Sequence, residues 1–184
     1  MSARKAVFLD RDGTLNVEVP LVATPQDLTP IDGIGPAVRA INEAGFLAIV
    51  LTNQAAVARG DCSFPTLRRI HGKLRGVLAH DGARLDAVYF CPHHTDYGSP
   101  CRCRKPKPGM ILAAQDDFDI DLAHSWVIGD SAKDVQLARN AGVRCALVRT
   151  GKAGADIGTD DMTALPDAIF ATLQEAVAFA TGHP

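Results

Sequence analysis

Two carboxylates separated by a single residue could do chemistry here. Asp10-Arg11-Asp12-Gly13-Thr14 follows the apolar run Ala6–Leu9 without a gap. Carboxylates at i and i+2 at a strand end, with a glycine that permits a tight turn beside a ligand, suit phosphoryl transfer. One carboxylate can attack phosphorus and form an aspartyl-phosphate. The other can protonate the leaving alcohol and then activate water. A third, Asp130, follows the run Trp126–Ile128 after Gly129. Asp10 and Asp130, with the backbone carbonyl of Asp12, can hold Mg²⁺. That ion prefers oxygen ligands, and a dication lets several carboxylates and a phosphate coexist. Thr52, Asn53 and a lysine would bind the phosphoryl oxygens. Lys105 is the best-placed lysine, because the prolines that flank Lys107 stiffen the loop behind it.

Each of these residues also has an ordinary structural role. Asp and Gly are common in turns, Thr52-Asn53 could be turn residues, and Asp130 or Ser131 could cap a helix. Asp134 could hydrogen-bond loop amides or sit near the positive end of a helix dipole. Their joint placement at strand ends favours chemistry.

A second constellation is Cys91-Pro92-His93, seven further residues, then Cys101-Arg102-Cys103. Three thiolates and one imidazole make a tetrahedral structural zinc set with no open position. His94 is the alternative imidazole. Cys62 and Cys145 are expected to be unpaired thiols, and His71, His80, His124 and His183 show no partner pattern.

The elements that must position these residues follow from periodicity. Runs at 6–9, 46–51, 87–90, 126–128 and 145–148 are apolar and largely rich in β-branched residues, as in strands buried on both faces. Between them, helices are expected over 36–44, from a Ser63 cap to about 79, over 110–118, and from a Ser131 cap over 132–141. A C-terminal helix is expected over 164–180. The alternation predicts an α/β fold: a doubly wound, Rossmann-like parallel sheet with helices on both faces. In such a sheet the carboxyl ends of the strands share one edge, where ligands bind. Asp10, Thr52 and Asp130, 42 and 78 residues apart in sequence, would meet there.

The 184 residues suit one domain, 1–184, with the zinc loop at about 91–103 inside it. Hydrophobic residues make up 47% and the net charge is −2, which argues against a nucleic-acid or anionic-membrane partner. No apolar run approaches a membrane span, and the first ten residues lack a signal-peptide core, so a cytoplasmic protein is expected. Cysteines in that compartment read as metal ligands or thiols.

Four segments occur in order: Phe8-Leu9-Asp10-Arg11-Asp12-Gly13-Thr14-Leu15-Asn16, Leu51-Thr52-Asn53-Gln54, Cys103-Arg104-Lys105-Pro106 and Ile128-Gly129-Asp130-Ser131-Ala132-Lys133-Asp134. Together with the cysteine cluster they resemble the haloacid dehalogenase superfamily of phosphatases over roughly residues 5–150. Within it the chain is most similar to the D-glycero-D-manno-heptose-1,7-bisphosphate 7-phosphatases, with the histidinol-phosphatases next. The resemblance implies a capless fold, catalytic Mg²⁺ and an aspartyl-phosphate intermediate. It implies that Asp10 is nucleophile and metal ligand, Asp12 acid/base and a metal ligand through its carbonyl, and Asp130 the third protein ligand. Thr52, Asn53, Gln54 and Lys105 would bind phosphate, and Arg104 would recognise substrate. Structural Zn²⁺ would sit on Cys91, His93, Cys101 and Cys103, and residues 17–20 would touch sugar. The expected substrate is a small phosphorylated heptose of lipopolysaccharide-core biosynthesis, and the expected state is a monomer. The rival readings are a histidinol-phosphate phosphatase and a non-catalytic zinc-stabilised binding module; retention of both Asp10 and Asp12 argues against the latter.

Overall fold

The computed structural model describes residues 3–98, 100–157 and 164–182. Its strands are β1 (Ala6–Leu9), β2 (Leu47–Asn53), β3 (Ala87–Cys91), β4 (Trp126–Gly129), β5 (Arg144–Val148) and β6 (Ala168–Phe170). Its helices are α1 (Ile34–Glu43), α2 (Ala56–Arg59), α3 (Phe64–His80), α4 (Gly109–Phe118), α5 (Ala132–Ala141) and α6 (Leu173–Thr181). All strand pairs are parallel, in the order β3-β2-β1-β4-β5-β6.

The doubly wound layering follows from alternation along nearly unbroken apolar strands. Val7 and Leu9 of β1, Ala48 and Val50 of β2, and Ile128 of β4 join a core that includes residues of α1, α3 and α6. Ala6, Phe8, Leu47, Ile49 and Val127 point the other way, into a core with Met110, Ile111, Val135 and Ala138 of α4 and α5. With both faces covered, there is no polar face to produce an alternating pattern. Truncating a leucine in such a core costs about 2–5 kcal/mol.

The helix starts match local chemistry. The Ser63 hydroxyl accepts from the Thr66 amide at the start of α3, and Ser131 and Asp134 form a capping box on α5. One expectation is corrected. Residues 164–180 are not one helix, because β6 extends the sheet at 168–170 and α6 starts only after Thr172. There the Thr172 hydroxyl and the Glu175 carboxylate cap reciprocally. A three-residue strand beside Pro166 carries too little pattern to be read from periodicity.

The strand order reverses at β1. Helices leave β1 and β4 on opposite sides of the sheet, which opens a crevice at their carboxyl ends. Between β1 and β2 lie only loop, a short 3₁₀ turn at Pro25–Asp27 and α1, so the described residues form no cap over that crevice. No described helix is long and apolar enough to cross a membrane.

Candidate active site

At this edge Asp10 leaves β1, Thr52 and Asn53 end β2, and Asp130 follows β4. They line a cleft of about 130 Å³ with Asp12, Glu18, Arg104, Lys105, Ser131, Lys133 and Lys152. That is room for roughly four waters, or for a phosphoryl group beside a cation.

Lys105 forms the centre. Its Nζ lies 2.8 Å from Asp10 Oδ1 and 2.7 Å from Asp134 Oδ1, with its side chain only 4% exposed. The Asn53 carboxamide fixes the Lys105 backbone from both sides, accepting from its amide at 3.0 Å and donating to its carbonyl at 3.2 Å. The Asn53 side chain therefore positions the lysine. Burial alone would lower the Lys105 pKa, but Asp10 and Asp134 outweigh it and hold the ammonium above its ordinary value. Burial drives the Asp10 carboxyl well above the usual carboxylate range, against Lys105 and with help from Asp134 and Asp130. Asp10 Oδ1 also accepts from the Arg11 amide at 2.6 Å.

Asp130 is enclosed by backbone. Its carboxylate accepts from the Lys152 amide at 2.7 Å, and its carbonyl accepts from the Gly154 amide at 2.8 Å. A Cβ on Gly13 or Gly151 would collide with Asp130 Oδ2, so glycine at both positions is what lets two loops close around this side chain. Burial lifts its pKa to about 6, with the Lys152 amide opposing and Asp134 adding. Carboxylate oxygens of Asp10, Asp130 and Asp134 lie within 4.8 Å of one another. Three carboxylates facing one ammonium leave negative charge that a dication would neutralise, and hard oxygen donors are what Mg²⁺ takes. The donor set fits that ion, with Asp134 already committed to Lys105 and to the Ser131 hydroxyl at 2.6 Å.

Asp12 turns toward its own loop. It accepts from Arg11 Nε and Nη2 at 2.7–3.0 Å, from Asn16 Nδ2 at 2.9 Å and from Gln54 Nε2 at 3.0 Å. Gln54 also donates to the Thr52 hydroxyl at 2.8 Å. Its side chain therefore bridges Asp12 and Thr52, and Gln54 does not line the cleft. Next to the cleft is a hollow of about 170 Å³ shared by Asp12, Glu18 and Asn53, walled by Val19–Val22 and Ala55–Ala56. Of the 17–20 segment expected to touch sugar, Glu18, Val19 and Pro20 line it.

The four expected zinc ligands converge, all within 4.8 Å of one another. Cys91 Sγ lies 3.6 Å from Cys101 Sγ and 3.7 Å from His93 Nδ1, and His93 Nδ1 lies 3.4 Å from Cys103 Sγ. A zinc tetrahedron with Zn–S ~2.3 Å and Zn–N ~2.0–2.1 Å has S–S edges of ~3.8 Å and S–N edges of ~3.5 Å. The donors already stand at those spacings. His94 is not in the group: its Nδ1 accepts from the Asp96 amide and its ring packs on Tyr97. Burial pushes the Cys91 thiol up to about 12. Burial also opposes ionisation of Cys101, but hydrogen bonds from the Arg104 amide and neighbouring thiols bring it down to about 6. Arg104 Nη1 donates to the His93 carbonyl at 3.1 Å, which couples the loop to the cleft.

The sequence reading missed Lys133 and Lys152 as cleft residues. Lys152 follows β5 by four residues, so the rule that gathered Asp10, Thr52 and Asp130 at one edge also reaches it. For Asp134 the sequence suggests only loop amides or the helix dipole as partners; its partnership with Lys105 comes from residues 29 apart.

A HAD-hydrolase-like family model matches residues 102–176. The chain is 40% identical to the D-glycero-beta-D-manno-heptose-1,7-bisphosphate 7-phosphatase of Vibrio cholerae over 91% of this chain and 93% of that protein. The chain belongs to the heptose-1,7-bisphosphate 7-phosphatase family. A Burkholderia mallei relative named for the alpha anomer is 38% identical over 97% of this chain and 94% of that protein. Among solved structures, the D,D-heptose 1,7-bisphosphate phosphatase of B. bronchiseptica superposes with a TM-score of 0.86 at 34% identity, covering 95% of this chain and 97% of that one. That protein was crystallised with magnesium and phosphate. This bears out the phosphatase, the haloacid dehalogenase fold and its parallel sheet.

Proposed function

We propose that the chain, as one phosphatase domain, hydrolyses the C7 phosphate of D-glycero-D-manno-heptose 1,7-bisphosphate, a step in making activated heptose for lipopolysaccharide core. The reading is supported above all by one observation. Asp10, Lys105 and Asp130 share one cleft in a chain about 40% identical to relatives named for this activity.

Asp10 attacks phosphorus, the P–O bond to C7 breaks, and Asp12 gives its proton to the leaving oxygen. Asp12 then takes a proton from water as that water attacks the aspartyl-phosphate, releasing inorganic phosphate and restoring Asp10. Lys105 and the Thr52 hydroxyl stabilise the charge that builds on the phosphoryl oxygens. Asn53 holds Lys105 and Gln54 links Thr52 to Asp12, so both act by positioning. Arg104 reaches the cleft from the zinc loop and meets the sugar side of the substrate. Asp10, Asp130 and the Asp12 carbonyl would hold Mg²⁺, which when bound screens the approach of phosphate to these carboxylates. Zn²⁺ on Cys91, His93, Cys101 and Cys103 would fix the loop that carries Arg104 and Lys105, with no part in the chemistry.

The test is phosphate release from both anomers of the heptose bisphosphate, histidinol phosphate and other sugar phosphates, with and without Mg²⁺. Both anomers enter because relatives named for each match this chain. Highest kcat/KM on a heptose bisphosphate is expected. Preference for histidinol phosphate would refute the substrate, and no turnover of any phosphate monoester would refute the mechanism.

A further inference from the structure

Asn16 stands where the turn that carries Asp12 meets the loop beside the cleft. It is fully buried, 0% exposed. A carboxamide nitrogen has two protons and can serve two acceptors. Here Nδ2 donates to Asp12 Oδ1 and to the Val17 carbonyl, both at 2.9 Å. The Asn16 backbone closes the same turn, since its carbonyl accepts from the Gly13 amide at 2.7 Å. Isolated bridges pair Asn16 with Asp12 on one side and with Pro30 on the other. Its Oδ1 has no partner among the described residues, so the side chain acts here only as a donor.

The loop that follows has anchors of its own. The Val17 amide donates to the Thr29 carbonyl at 2.8 Å, and the Ile31 amide to the Leu15 carbonyl at 3.1 Å, which closes the base of the loop. On its far side Lys73 of α3 donates to the Pro25 and Leu28 carbonyls at 2.9 and 2.8 Å. Glu18 and Val19–Val22 of this loop share their hollow with Asp12. Of the three side chains that grip Asp12, Arg11 holds nothing else and Gln54 holds Thr52, whereas Asn16 also grips the loop.

We infer that Asn16 is a positioning residue that ties the acid/base carboxylate of Asp12 to the loop at 17–28 and so fixes Asp12 relative to the bound substrate. This rests on the role of Asp12 in the proposed function.

Asn16→Leu keeps the branched outline of the side chain and removes the donor. It is expected to lower kcat on the sugar bisphosphate by about tenfold, the cost of a misplaced reacting group. KM should stay within about twofold, because the loop keeps its other anchors. The decisive readout is a double-mutant cycle with Asp12→Asn, since residues that act as a unit are non-additive. In the Asp12→Asn background, Asn16→Leu should change kcat less than about twofold. No loss of kcat, a loss seen chiefly in KM, or a loss that persists undiminished in the Asp12→Asn background overturns the inference. Thermal unfolding checks that each variant folds, and Asn16→Asp, closer still in outline, carries the same cycle. A further readout needs no change at Asn16. The side-chain amide resonance of Asn16 in ¹⁵N NMR should shift between wild type and Asp12→Asn, and an unmoved resonance overturns the inference. Asp12→Asn also separates the two levels. If it alone leaves kcat unchanged, the acid/base role in the proposed function fails. If it costs the ~10²–10⁴ that proton transfer supplies and the cycle is additive, only the role of Asn16 fails.

Discussion

Replacing Lys105 with methionine keeps the length of the side chain and removes its charge. The ammonium is 2.8 Å from Asp10 and 2.7 Å from Asp134, with its side chain 4% exposed. At an effective dielectric of about 20, each contact is worth ~6 kcal/mol of Coulomb energy. Desolvation of the three groups cancels much of this, and breaking such a buried pair from one side costs about 3–5 kcal/mol in net stability. At roughly 2–4 °C per kcal/mol for a domain of this size, melting should fall by ~6–20 °C. Activity should fall further, because Lys105 also faces the charge of the transition state, and losing one such donor costs about 10²–10³ in kcat. The pairing Lys105→Met with Asp134→Asn sharpens the test. Much of the cost in the single variant is a carboxylate left buried without its partner, so removing that charge should restore about half or more of the lost stability. Activity should not return, since the cation is still missing. Urea unfolding in chelator, with steady-state kinetics in Mg²⁺, measures both. A single variant within about 1 kcal/mol of wild type, or a double variant less stable than the single, would refute the reasoning.

Asp10→Asn keeps shape but removes the nucleophile, so phosphate release should fall by orders of magnitude with folding intact; more than about a tenth of wild-type activity, ~1.4 kcal/mol of barrier, would exclude covalent catalysis by Asp10. Cys101→Ser should abolish zinc in metal analysis and raise KM through Arg104 while the strands stay folded; a zinc-free wild-type protein never exposed to chelator, with Cys101→Ser fully active, excludes the site. Gly151→Ala drives a methyl into Asp130, so the Mg²⁺ concentration for half-maximal rate should rise about 10–100-fold; an unchanged Mg²⁺ titration counts against Asp130 as a ligand. His71 gives a pH signature: the unfolded chain takes a proton there below about pH 6.5, the folded one only below about 4. Stability should therefore drop as pH falls through that window, by up to about 3 kcal/mol from this residue, and a His71→Leu variant with the same acid limb in urea titrations would contradict it.

The sequence alone determined the elements whose cause is local. Unbroken apolar runs gave five strands, and Ser63 and Ser131 gave two helix starts. Parallel topology then brought Asp10, Thr52 and Asp130 to one edge, because strands joined by crossover helices end on the same side. The Cys₃His cluster was also legible, since four ligand-type residues within 13 positions can meet without help from the rest of the fold. Spacing alone left His93 and His94 both open and the resemblance pointed to His93; the tertiary structure gathers His93 with the three thiols because the loop's path decides. It alone found β6, whose three residues extend the sheet by pairing with β5. It also showed that Asn53 fixes the Lys105 backbone and that Gln54 joins Thr52 to Asp12. A carboxamide both donates and accepts, and its role depends on which groups surround it after packing.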